Sequence, residues 1–198
     1  MLGLLGFAIA TGVLYGRFSR ASSRIIYSKK ALIAPYKGGN AFMFRIANAR
    51  KNELIEVEAE LAFSMVDPET QSRSFHLLPL QLKKINFLTL NWTIVHPVNE
   101  DSPLFGLTET DMNERDVEFI ILLKAFDNTF SQTVYSRASY KSEEIVWDAR
   151  FSPMYSLPED GVYRLELNKI GDYEPVPIAN SLENTIYTEK ISKHTSRD

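Results

Sequence analysis

Sixteen consecutive uncharged residues, Met1 to Gly16 (MLGLLGFAIATGVLYG), open the chain, and the first acid does not come until Glu53. Between them lie nine basic residues and no carboxylate: Arg17, Arg20, Arg24, Lys29, Lys30, Lys37, Arg45, Arg50 and Lys51. A helix-length apolar run that gives way to unopposed positive charge is the pattern of a membrane segment leaving the bilayer on its cytoplasmic side. Sixteen residues at about 1.5 Å rise make about 24 Å of helix, short of a hydrocarbon core about 30 Å thick. A signal peptide carries its basic residues before the apolar run; here they follow it, although Ala8-Ile9-Ala10 has the small-x-small spacing of a cleavage site. A buried core helix is disfavoured by Gly3, Gly6, Gly12 and Gly16, since each glycine costs about 1 kcal/mol relative to alanine, whereas membrane helices use glycine for close approach. The expectation is the cytoplasmic end of a membrane helix that starts upstream of Met1.

The rest of the chain differs in charge. After residue 52 there are 13 basic and 25 acidic residues, a net charge of −12 hidden inside an overall −3. A basic collar facing a membrane and an acidic body beyond it fits that asymmetry. With 198 residues, 44% of them hydrophobic, the chain suits one packed domain plus appendages. No cysteine is present, so there is neither a disulfide framework nor a thiolate metal site.

Past Arg24 the pattern turns to strands. Arg24 to Pro35 and Ala41 to Ala49 flank Tyr36-Lys37-Gly38-Gly39-Asn40 and read as a hairpin, Gly-Gly-Asn supplying positive φ. In Leu54 to Met65 (LIEVEAELAFSM), Val57, Ala59, Leu61, Phe63 and Met65 share one face, with Glu56, Glu58, Glu60 and Ser64 on the other. Short runs follow at Phe75–Leu82, Leu88–Val95, Val117–Phe126, Phe130–Ser136, Glu144–Phe151 and Val162–Leu167, separated by turn sequences such as Asp67-Pro68 and Asp127-Asn128. Many short strands with frequent turns predict a mainly β chain built as a sandwich. One short helix is expected at Thr108–Arg115, and the chain from about Gly171 reads as a tail. The expected units are 1–20 (end of a membrane helix), 21–34 (linker and first strand), 35–170 (sandwich) and 171–198 (tail).

Nothing in the chain points to an enzyme. His76, His96 and His194 lie far apart without ligand spacing, so no metal site is expected. Glu56, Glu58 and Glu60 suit a solvated strand face better than a catalytic pair, no cofactor-binding motif occurs, and no nucleic-acid partner is expected.

Several blocks then become specific in combination. Gly6 to Arg20 (GFAIATGVLYGRFSR) is followed by AFMFRIANARKN and LIEVEAEL, then Trp92 to Pro97 (WTIVHP) and Asp101 to Gly106 (DSPLFG). Ser136 to Tyr140 (SRASY) and Glu143 to Trp147 (EEIVW) complete the series. This order and spacing resembles the inward-rectifier potassium channel family, particularly its prokaryotic branch, from Gly3 to about Glu174. The resemblance implies a homotetramer in the cell membrane, with an immunoglobulin-like cytoplasmic β-sandwich below the end of an inner transmembrane helix. It also implies potassium as the permeant ion, with magnesium or polyamines as blockers. The family's T-x-G-Y-G selectivity filter does not occur in this chain. The alternative from another class is a membrane-anchored β-sandwich binding module without a pore.

The resemblance assigns roles. Phe7, Thr11 and Tyr15 recur at i, i+4 and i+8 on one helix face. Phe7 and Tyr15 match positions where the family's inner helices converge at the cytoplasmic mouth, so their rings either gate by excluding water or pack against helices and lipid. Arg17, Arg20 and Arg24, with Arg50, Lys51 and Arg137, match the family's anionic-lipid site. That cluster is thinned here: eukaryotic members carry proline and two lysines where this chain has Ala21, Ser22 and Ser23. Glu56 matches an acidic position lining the cytoplasmic pore. Lys124 stands at a second position that is acidic in strongly rectifying relatives, which implies weaker or altered polyamine block.

Overall fold

The computed structural model describes residues 3, 6–7, 9–12, 24–50, 52–88, 90–156 and 164–176. Two five-stranded sheets face each other. In the first, β3 (Gly39–Asn48) is the central strand. Along one edge it pairs with β7 (Asn91–Val98); along the other it pairs in turn with β1 (Ile25–Tyr27) and β2 (Ala31–Tyr36), all antiparallel. β10 (Ile145–Trp147) adds to β2 in parallel. The second sheet centres on β4 (Leu54–Val66), with β8 (Glu118–Asp127) and then β9 (Gln132–Lys141) on one side. β5 (Arg73–Leu78) and β6 (Lys84–Phe87) share its other edge. This is the expected β-sandwich.

The two inner faces meet through aromatic rings. Phe42 stacks on Phe119 across the sandwich, centroids 3.9 Å apart and planes 6° from parallel. Phe63 lies 5.0 Å from Phe119, and Phe44 lies 5.7 Å from Tyr140. All five are buried. Burial pushes the Tyr140 phenol up to about 12; its hydroxyl donates to the Ser28 carbonyl at 2.8 Å.

The first sheet is covered on both faces, which explains its nearly continuous apolar sequence. Ala31, Ile33, Phe42, Phe44 and Ile46 face the second sheet. The reverse side is covered by the returning chain: Leu32 and Ala34 pack with Ala149 and Phe151, and Ala47 packs with Met154 and Ile170. That chain contributes β11 (Ala149–Phe151), β12 (Tyr155–Ser156), β13 (Arg164–Leu165) and β14 (Tyr173–Pro175), pairing β11 with β14 and β12 with β13. The packed unit therefore begins at Ile25, ahead of the expected boundary at 35, and continues through β14, past the expected boundary at 171.

Local chemistry accounts for the turns. The hairpin forms, but its loop is Lys37-Gly38 at φ 47° and 83°, while Gly39 and Asn40 already belong to β3. Two left-handed residues in a two-residue loop match the twist of the flanking strands. The expected strand 24–35 is two strands interrupted at Lys29 and Lys30; just before the break the Ser28 N–H donates to Arg45 O at 2.9 Å and its hydroxyl accepts from Arg45 N at 3.1 Å. The helix runs Glu109–Glu114 under a capping box, Thr108 Oγ1 accepting from Asp111 N while the Asp111 carboxylate accepts from Thr108 N.

His96 is fully buried. Its Nδ1 donates to the Pro79 carbonyl at 2.7 Å, which leaves Nε2 to accept from the Ser102 hydroxyl at 2.8 Å, and that oxygen in turn accepts from Leu104 N. The neutral ring is satisfied on both sides, and burial holds its pKa below the ordinary imidazole range.

Two outcomes follow. Phe119→Ala leaves the stack without its partner and lowers stability by about 3–5 kcal/mol, read from urea unfolding. Because the unfolded histidine titrates near 6.5 and the folded one lower, stability is complete above about pH 6.5 and falls as pH drops below it. Urea midpoints taken at pH 7.5 and 5.5 should separate more for the native chain than for His96→Asn.

Candidate ion-path face

The outer face of the second sheet carries the candidate site, and β4 builds it. Val57, Ala59, Leu61 and Phe63 point into the core while Glu58 and Glu60 point out. Ser64, expected on the solvated side, is buried and accepts from Arg73 Nη1 at 2.9 Å. Leu54 also faces the core, three residues before Val57 rather than two, because the register slips between Ile55 and Glu58. The extra residue is Glu56, at φ 50°. Bulges of this kind usually place glycine in the left-handed region; a side-chain-bearing residue there costs about 1–2 kcal/mol.

Three lysines answer the three carboxylates. Lys84 Nζ lies 3.4 Å from Glu56 Oε2 and 3.6 Å from Glu58 Oε1, so one ammonium bridges two acids. Lys124 Nζ is 4.0 Å from Glu58 Oε2, and Lys83 Nζ is 3.6 Å from Glu60 Oε1. Strand register sets these contacts: Glu58 stands opposite Lys84 on β6 and Lys124 on β8. Sequence reading picked out Glu56 and Lys124 but not Lys83 or Lys84, which enter the site only through the pairing of β6. The same face also carries apolar side chains, with Phe75 and Leu77 exposed on β5 and Ile120 and Leu122 partly buried on β8.

The other expected site residues fall elsewhere. Arg137 stands opposite Leu122 on β9, which puts it on the same exposed face as Glu60. Arg24 and Arg50 are exposed at the end of the first sheet where Ala49 N bonds to Arg24 O. Phe7 and Thr11 are helical, and the Thr11 hydroxyl donates to the Phe7 carbonyl at 2.8 Å, consistent with one face. Tyr15, Arg17, Arg20 and Lys51 lie outside the described residues. Among those described, no helix is long and apolar enough to cross a membrane, and no cluster of His, Asp and Glu suits a metal ion. Trp147 packs partly buried against the core, and a ligand-sized cleft of about 320 Å³ lies beside Glu60, Leu77, Leu80 and Lys83.

Comparison with known proteins places this sandwich. Residues 25–190 match the model for the inward rectifier potassium channel C-terminal domain. The chain is 30% identical over 172 residues to the inward rectifier potassium channel Kirbac3.1 of Paramagnetospirillum magnetotacticum, covering 85% of this chain and 58% of that protein. It is 31% identical over 183 residues to the human ATP-sensitive inward rectifier potassium channel 8, covering 87% and 43%. With the human ATP-sensitive inward rectifier potassium channel 11 the identity is 29% over 188 residues, covering 89% and 48%. These relatives are ion channels, which are not enzymes. The chain belongs to the inward rectifier potassium channel family and carries its C-terminal domain; it spans about half the length of these relatives.

The bulge gives a direct test of the strain at Glu56. Glu56→Gly relieves the left-handed side chain and raises the urea midpoint, by about 1 kcal/mol of stability; a lower midpoint shows that the lost Lys84 contact outweighs the strain.

Proposed function

We propose that the chain forms the gate and the cytoplasmic ion path of a homotetrameric, passively conducting potassium channel in the cell membrane. The observation that carries the reading is the family match across nearly all of the sandwich. Four copies of β4 around one axis give a ring of carboxylates that raises the local concentration of potassium and offers magnesium or polyamines a blocking site. The partly apolar, exposed sheet face beside that row is the kind of surface a second copy covers. In the acid-free segment Phe7, Thr11 and Tyr15 line the helix end, with Phe7 and Tyr15 as the hydrophobic gate. Arg17, Arg20, Arg24, Arg50, Lys51 and Arg137 meet anionic headgroups, each worth about 1 kcal/mol near the surface.

Crosslinking of the complete channel should yield tetramers; a monodisperse monomer overturns the reading. In liposomes, Tyr15→Ala should raise potassium leak in the closed state, and unchanged flux removes Tyr15 from the gate. Vesicles with anionic lipid should alter flux relative to neutral vesicles, and Arg17→Gln combined with Arg20→Gln should shrink that difference.

A further inference from the structure

The ion-path reading treats Glu56 as a free carboxylate, and the geometry says otherwise. Among the described residues, Lys84 is the nearest cation to both Glu56 and Glu58, at 3.4 and 3.6 Å, with Lys124 farther off at 4.0 Å from Glu58. We propose that Lys84 is a built-in counter-cation of the β4 carboxylate row, occupying the place where an amine group of a polyamine, or a magnesium ion, would otherwise bind. The inference rests on the proposed ion-path role of Glu56 and names the residue that sets its cation affinity.

Lys84 and a diffusible cation compete for the same carboxylates. A diffusible polycation gains from the row only what the carboxylates can give up, and an ammonium tethered within contact distance acts at a high effective concentration. Lys84 is held in place by its backbone: β6 pairs Lys84 with Glu58 and Ile85 with Val57, next to the bulge that turns Glu56 toward the same ammonium. Its side chain remains 42% exposed, so an incoming cation can displace it without breaking the core. The row is therefore a weak cation site by construction rather than by lack of acid. Monovalent potassium passes over it, and stronger block requires a cation that outcompetes the lysine.

The test is spermine block of potassium flux through liposomes carrying the complete channel, in the native protein and in Lys84→Gln, Lys84→Arg and Glu56→Gln. Lys84→Gln should tighten block about tenfold, Lys84→Arg should block as the native protein does, and Glu56→Gln should weaken block. Block unchanged in Lys84→Gln but weakened in Glu56→Gln overturns the counter-cation role and leaves the ion path standing. Block unchanged in both removes Glu56 from the ion path, and the inference falls with it. Retained tetramers and an unaltered urea midpoint in Lys84→Gln separate a change of affinity from a change of fold.

Discussion

Burial of the first sheet on both faces is the constraint from which the rest of the molecule follows. Its inner face, Ala31, Ile33, Phe42, Phe44 and Ile46, is closed by the second sheet. Its outer face, with Leu32, Ala34, Met43 and Ala47, would meet water were the chain to stop after β9. Ala149, Phe151, Met154 and Ile170 of the returning chain cover it. Arg45 fastens this return: its Nη1 donates to the Ser152 carbonyl at 2.7 Å, and its guanidinium lies 4.5 Å from the Phe151 ring centroid. Burial lowers its pKa from the usual arginine value, yet an arginine keeps its proton, so the charge is satisfied by a carbonyl, a hydroxyl and an aromatic face.

How much of this was legible follows the same physics. β4 could be read from alternation because one of its faces is buried and the other carries acids. The short strands were harder: β6 is four residues long and carries a lysine, and β14 is three residues long and contains a proline. Such strands exist because a neighbour offers backbone partners, and that information lies outside the segment. The hairpin was legible, but its loop was misplaced by one step, since Lys37 takes a positive φ that sequence reading reserves for glycine or asparagine.

The site divides similarly. Glu56 was visible as a matched position in a family, and its strain was not, because nothing in LIEVEAEL marks a bulge. The contact between Lys84 and two acids depends on where β6 pairs, twenty-eight residues after Glu56 in the chain. Charge counting gave the acidic body its sign correctly, yet the local face holds three lysines against three carboxylates, so net charge over a segment does not predict the field at a site.

The antiparallel pairing of β1 with β3 has a mechanical consequence. A displacement delivered through the N-terminal side reaches the sandwich at Arg24 and runs along β1, whose antiparallel pairing with β3, flanked by the Ala49 N–Arg24 O and Ser28 N–Arg45 O hydrogen bonds, lies across the direction of pull. Load of that kind is shared by the bonds together, in shear, rather than breaking them one by one as in peeling. The break at Lys29 and Lys30 lies next in line, ahead of β2. A pull applied at Arg24 therefore moves the first sheet before β1 frays from β3.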